Sequence, residues 1–223
     1  FLRGQFAMKP FENRVEAGRQ LAALLLDYRD RDDVIVLALP RGGVPVGLEV
    51  ARQLHAPLDL MLVRKLGVPG HEELAMGAIA SGTRVLNENV IMNSGISEME
   101  LERETRAEQV ELERRAQRYR GDRPWPKLEN RCVILVDDGI ATGATMAVAA
   151  RAVRAQRPSE LVIAVPVAAA DTIQRFAPLS DRFVCPLQPE PFWAIGAWYR
   201  DFSQLSDELV VALMQEASGL GED

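Results

Sequence analysis

Short apolar runs alternate with stretches of helical periodicity along most of this chain. Val34 to Leu39, Leu58 to Val63, Val133 to Val136, Leu161 to Val167 and Arg182 to Cys185 read as strands. Their consecutive apolar positions fit strands buried on both faces. Between them lie helical patterns. One is capped by Asn13 and continues to about Tyr28, with Leu21, Leu24, Leu25 and Tyr28 as its apolar stripe. Others run from Val44 to Leu54, Ala144 to Ala155 and Asp171 to Phe176, and an amphipathic helix within 204–217 (Asp207 to Ala217) closes the chain. Alternating strands and helices predict an α/β fold with a doubly wound, mainly parallel sheet. In such sheets ligands bind beyond the carboxyl ends of the strands.

The middle of the chain departs from this rhythm. Met76 to Ala80 reads as a short strand, and Thr83 to Leu86 with Val90 to Met92 as a hairpin turning at Asn87-Glu88-Asn89. Ser97-Glu98-Met99-Glu100 is a capping box opening a helix to about Tyr119. Its arginines are interleaved with glutamates, which makes it a solvated, ion-paired helix rather than a nucleic-acid surface. Gly121 to Pro126 ends it. Residues 1 to 10 read as a loose lead-in. With no internal repeat or second domain evident, residues 1–223 are expected to form one domain, its core about 13–185.

Composition narrows the function. The 223 residues are 48% hydrophobic, enough for a substantial core, and the net charge of −6 argues against nucleic-acid or membrane-surface binding. Cys132 and Cys185 read as buried free thiols, and neither they nor His55 and His71 have metal-site spacing. No signal peptide is evident, and the longest apolar run, Leu161 to Ala170, contains Pro166 and is too short to span a bilayer. A cytoplasmic protein is expected.

The chemistry concentrates in Arg131 to Thr145. An apolar strand ends in Asp137 and Asp138, and a loop of small residues, Gly139 to Thr145, leads into a helix. Loop amides and a helix start make an anion nest. Thr142 and Thr145 add hydroxyls, Ala141 and Ala144 take little room, and Gly143 lets the backbone come close. The carboxylates repel a phosphate but accept hydrogen bonds from sugar hydroxyls, so the pattern suits a phosphorylated sugar. Three further stretches follow strands or carry aromatics. Pro40-Arg41-Gly42-Gly43 reads as an anion-holding loop or a simple tight turn. Arg64 and Lys65, followed by Leu66 to Glu73 with its Gly-Val-Pro-Gly, read as cations at the base of a mobile loop or as a solvated basic turn. Pro186 to Tyr199, with Phe192 and Trp193, is a stiff aromatic segment that stacks on a planar ring or forms a satellite cluster or subunit contact.

The stretch Val133-Ile134-Leu135-Val136-Asp137-Asp138-Gly139-Ile140-Ala141-Thr142-Gly143-Ala144-Thr145 resembles the phosphoribosyl-pyrophosphate (PRPP) motif of type I phosphoribosyltransferases. The resemblance covers roughly residues 13 to 185, and the chain looks most like bacterial members without an established acceptor. It implies Mg²⁺-dependent transfer of ribose 5-phosphate from PRPP to a nitrogen acceptor, a nucleobase-like ring, with release of pyrophosphate. It assigns Asp137 and Asp138 to the ribose hydroxyls and the metal, and Ala141 to Thr145 to the 5-phosphate. Arg41, Gly42, Gly43, Arg64 and Lys65 go to the pyrophosphate, with Asp137, Asp138, Arg64 and Lys65 as the catalytic set. Leu66 to Glu73 becomes a closing loop, and residues 186–200 a hood bringing Phe192 and Trp193 to the acceptor. A homo-oligomer, in the form of a dimer, is expected. Ala141 stands where 6-oxopurine enzymes carry an Asp, so the loop is closer to the adenine type. Rival readings are a PRPP-binding regulator without turnover and a homologue that has lost catalysis.

Overall fold

The computed structural model describes residues 9–81 and 83–220, so most of the lead-in lies outside the described residues. The strands are β1 (Val34–Ala38), β2 (Leu58–Leu60), β3 (Val63–Val68), β4 (His71–Ala80), β5 (Thr83–Leu86), β6 (Cys132–Val136), β7 (Glu160–Ala164) and β8 (Arg182–Val184). The helices are α1 (Arg14–Ala23), α2 (Gly43–Leu54), α3 (Glu88–Asn93), α4 (Glu98–Arg120), α5 (Ala144–Ala155), α6 (Thr172–Phe176) and α7 (Asp207–Ala217). Five strands form a parallel sheet in the order β2-β1-β6-β7-β8, and β3, β4 and β5 form a separate antiparallel sheet.

Period-2 alternation sorts each central strand onto two cores. Val34, Val36 and Ala38 face α1, α2 and α7, where Leu21, Val50, Leu54 and Met214 are buried. Ile35, Leu37 and Leu39 face the other side, against Met146, Ala150 and Val153 of α5. With both faces covered, β1 and β6 are buried throughout. β1 aligns with β6 over its whole length, Ala38 opposite Val136. The two strands therefore deliver their following loops to the same spot.

Several elements differ from the sequence expectation. The pattern 83–92 is not a hairpin. Asn87 caps α3, its side chain accepting from the Val90 amide at 3.3 Å, so capping chemistry wins over turn chemistry. The helix begun at Asn13 stops at Ala23, and Leu24, just past its end, is 47% exposed rather than part of the stripe. The second core strand ends at Leu60. Arg64 and Lys65 therefore lie inside β3, not at a strand's carboxyl end.

The stretch Leu66 to Glu73 belongs to the β3–β4 hairpin. Val68 pairs with His71 across Pro69-Gly70, and Gly70 has φ +79°. Proline followed by a left-handed glycine is type II turn chemistry, and buried Leu66 and Val68 fix the register. The capping box and the full helix it opens form as expected. One end of α4 is tied down by a pair that its composition conceals. Arg120 holds buried Asp59 through two bonds of 2.6 and 2.7 Å and lies 3.9 Å over Trp125. No helix among the described residues is long and apolar enough to cross a membrane.

Candidate functional site

The loop after β1, Pro40 to Gly43, meets the loop after β6 at the two acids. Glycine is required there by space. A Cβ on Gly42 would lie 2.0 Å from Asp138 Oδ2, and one on Gly43 would lie 2.8 Å from the Val136 carbonyl oxygen. Two loops far apart in sequence thus form one surface.

Asp138 is buried and held from three sides. Arg14, at the first turn of α1, donates from Nε to Asp138 Oδ2 at 2.9 Å. The Tyr199 hydroxyl donates to the Asp138 carbonyl at 2.6 Å. The third contact is the Gly42 backbone. Asp137 retains solvent contact, and its Oδ1 accepts from the Asp138 amide at 2.8 Å. Burial pushes the Asp137 carboxyl well above the usual carboxylate range, and the neighbouring Asp138 charge adds to the rise. Burial also raises Asp138, while Arg14 opposes it. Two adjacent acids that resist ionisation are poised for a cation or for hydroxyl donors.

Beyond the acids, Ala141, Thr142, Ala144 and Thr145 are exposed at the start of α5. Gly143 has φ +77°, and a Cβ there would strike the Phe176 ring at 2.8 Å. Arg175 braces the loop from behind, its Nη1 donating to the Thr142 carbonyl at 2.9 Å. The Ala144 amide makes a long bond of 3.5 Å to Thr142 Oγ1, and with carbonyls occupied on that side the Thr145 and Met146 amides of the 12-residue helix α5 remain for an anion.

The other expected site residues divide. Arg41 and Arg64 line a common cleft of about 480 Å³ that also reaches Thr145. Arg64 is paired there with Glu108 at 2.5 Å. Lys65 is exposed and absent from that cleft, because successive strand residues point to opposite faces. The structure therefore does not bring Lys65 together with Arg41 and Arg64.

The aromatic segment also divides. Phe192 packs into a satellite cluster with Phe11, Val167 and Tyr199, while Trp193 is 81% exposed. Ile195 and Tyr199 are the residues of this segment against the acidic loop: a Cβ on Gly139 would meet Ile195 at 2.7 Å, and the Tyr199 hydroxyl reaches the Asp138 carbonyl.

Arg14, Arg175 and Tyr199 brace the acid pair and the α5 loop, and the sequence patterns do not single them out. Arg14 leaves one signal. A cation in the first turn of a helix opposes the helix dipole, so it needs a partner elsewhere. Among the described residues no three His, Cys, Asp or Glu side chains converge as a metal cluster.

A family model described as phosphoribosyl transferase domain matches residues 8–186. Relatives from two Mycobacterium tuberculosis strains, both carrying the provisional name phosphoribosyl transferase, are 46% identical over 211 residues. The match covers 94% of this chain and 47% of each relative, so the chain spans about half the length of the curated relatives it matches. The crystal structure of TT1426 from Thermus thermophilus is similar at 41% identity and a TM-score of 0.82, covering 93% of this chain and 98% of that one.

Proposed function

This chain belongs to the phosphoribosyl transferase family, and on that premise we propose that it transfers ribose 5-phosphate from PRPP to a nitrogen acceptor. The observation that carries the reading is the contact of Gly42 with Asp138, which joins an anion-holding loop to a hydroxyl-accepting acid pair. In this reading the exposed Thr142 and Thr145 and the α5 amides hold the 5-phosphate. Asp137 and the remaining oxygen of Asp138 accept from the ribose hydroxyls. Gly42, Gly43, Arg41 and Arg64 hold the pyrophosphate, and Lys65 leaves the set. Ala141 keeps the acceptor end of the loop apolar, which disfavours a 6-oxopurine.

Mg²⁺ fits this donor set. It takes hard oxygens and binds through one or two carboxylates, with phosphates and waters completing its shell. Asp137 and Asp138 would hold it, and when bound it offsets charge on the departing pyrophosphate. The chain itself aligns the sugar between two fixed loops, so the C1–O bond to pyrophosphate breaks as the C1–N bond forms. Charge built up at the anomeric carbon is met by the acid pair.

Calorimetry with PRPP, with and without Mg²⁺, tests the binding step. A screen of nitrogen acceptors read by pyrophosphate release tests transfer. Absence of PRPP binding in both conditions overturns the reading. Binding with no release from any acceptor favours a regulator without turnover.

A further inference from the structure

Residues 188–197 run past the acidic loop as a strap held at its two ends. At one end the Leu187 amide donates to the Pro166 carbonyl and the Leu187 carbonyl accepts from the Ala168 amide, both at 3.1 Å. At the other end the Phe11 amide donates to the Trp198 carbonyl at 2.9 Å and the Arg200 amide to the Phe11 carbonyl at 2.8 Å. The Tyr199 hydroxyl on the Asp138 carbonyl completes that anchor. Between the anchors, Gln188 to Trp193 makes no backbone–backbone hydrogen bond among the described residues. The turn that follows is closed by long bonds of 3.3 Å, from the Ala197 amide to the Ala194 carbonyl and from the Tyr199 amide to the Gly196 carbonyl. A stretch held by packing rather than by backbone bonds has the makeup of a local opening unit.

The packing that holds the strap is small and leaves one group unpaired. Ile195 sits on Gly139, the residue after the acid pair, with Val167 beside it. Phe192 and Ile195 pack with Trp198 against Phe11, Val167, Leu187 and Tyr199. Trp193 is exposed and adds no hold. Trp198 Nε1 is the one buried side-chain nitrogen or oxygen among the described residues that has no hydrogen-bond partner. A buried N–H without an acceptor favours any state in which it meets water. The closed packing therefore carries a penalty that opening relieves.

We propose that residues 188–197 open as a unit between their anchors, and that Ile195 is the plug they lift from Gly139. Opening uncovers the acidic loop beside Asp138, while the anchors keep Tyr199 on the Asp138 carbonyl. The role of this motion rests on the transfer reading, in which the strap gates the entry of the nitrogen acceptor. The groups assigned to PRPP, on the Pro40–Gly43 loop, β3 and the α5 nest, lie outside the strap.

Exchange of the Trp198 indole proton, one of three such signals in the chain, tests the opening. It is expected to be at least about a hundredfold faster than exchange of the Ile134 and Leu135 amides, which are buried in β6 and open with the whole fold. Ile195→Ala should speed it about tenfold. Gly139→Cys combined with Ile195→Cys pins the strap, because a Cβ on Gly139 would lie 2.7 Å from Ile195 Cγ2 and 3.0 Å from Cγ1, within reach of a disulfide. With the cross-link confirmed by peptide mapping, oxidation should slow indole exchange at least about tenfold, and reduction should restore it. An indole proton that exchanges no faster than the β6 amides, or that ignores Ile195→Ala or the cross-link, overturns the proposal. The oxidised pair should bind PRPP like its reduced form and lose pyrophosphate release in the acceptor screen. Release unchanged by oxidation, or PRPP binding lost with it, overturns the gate. A chain that binds no PRPP fails the transfer reading alone, and indole exchange still decides the strap.

Discussion

Arg14 and Asp138 stand 124 residues apart in sequence and form an ion pair at 2.9 Å, with side chains only 11% and 12% exposed. The same guanidinium donates to the Ser203 carbonyl at 2.9 Å and lies 4.0 Å above the Phe202 ring. It thereby ties the acid pair to the segment that follows the aromatic stretch. Removing Arg14 leaves a buried carboxylate without its counter-charge.

Arg14→Gln should accordingly lower stability by about 3 kcal/mol at neutral pH. The deficit should shrink on acidification. Without the guanidinium the Asp138 carboxyl rises further, so the folded variant takes up a proton that the parent's Asp138 binds less tightly. Urea unfolding at neutral and mildly acidic pH measures this. Arg14→Gln combined with Asp138→Asn should recover most of the loss, because the two residues act on one interaction. A deficit independent of pH, and additive with Asp138→Asn, would mean that Arg14 serves only as packing on Phe202.

Asp137 sets a second pH dependence. Its folded carboxyl lies well above the ordinary value, chiefly through burial. The folded protein then binds that proton more tightly than the unfolded chain does. Stability therefore falls as pH rises from the ordinary carboxylate value through the raised folded value. Above the ordinary carboxylate value the raised folded value works against the fold, so Asp137→Asn should raise the melting temperature of the ligand-free protein at neutral pH. The same change should weaken PRPP and Mg²⁺ binding, by about 1.5–3 kcal/mol for each charge-assisted hydrogen bond lost. Thermal melts paired with calorimetry decide it. A variant that is more stable and binds PRPP like the parent would remove Asp137 from the site.

Arg64 and Lys65 give a sharper contrast than most neighbours, because β3 turns them to opposite faces. Arg64→Gln should weaken pyrophosphate binding about tenfold or more, and Lys65→Gln should change it by less than about twofold. Titration of both variants with inorganic pyrophosphate and Mg²⁺ is sufficient. Equal losses would show that the β3–β4 hairpin rearranges when ligand binds.

What is legible in the sequence has a local cause. The strand–acid–loop–helix pattern of Val133 to Ala155 is written in consecutive residues, and α5 begins and ends where its pattern does. The Ser97–Glu100 capping box likewise marks the start of α4. Other features depend on distant partners. The turn signal of Pro69-Gly70 is the same whether its flanks are free or paired, and only the burial of Leu66 and Val68 decides for a hairpin. Arg14, Tyr199 and Arg175 act through contacts of 124, 61 and 33 residues in sequence separation. The acidic and basic residues of α4 nearly cancel when counted along the chain, yet its helical rows gather Arg114, Arg115 and Arg118 at one cleft.

Gly42 offers the most direct test that the two loops form one site. Alanine is tolerated by its backbone, since φ −59° and ψ −34° are ordinary helical values. The obstacle is the Asp138 carboxylate, which would sit 2.0 Å from the new Cβ. Asp138 cannot simply rotate away while Arg14 holds Oδ2 and Tyr199 fixes its backbone. Gly42→Ala must therefore shift the Pro40–Gly43 loop or break the Arg14 pair, at about 1–3 kcal/mol. Either response separates the anion loop from the acids. PRPP affinity should fall by more than the stability loss explains, while Gly70→Ala, at the exposed hairpin turn, should lower stability through its φ of +79° and leave PRPP affinity near that of the parent. Calorimetry with PRPP and Mg²⁺ on both variants makes the comparison. If Gly42→Ala binds PRPP as tightly as the parent, the loop after β1 is a packing element, and the proposed pyrophosphate site must lie elsewhere.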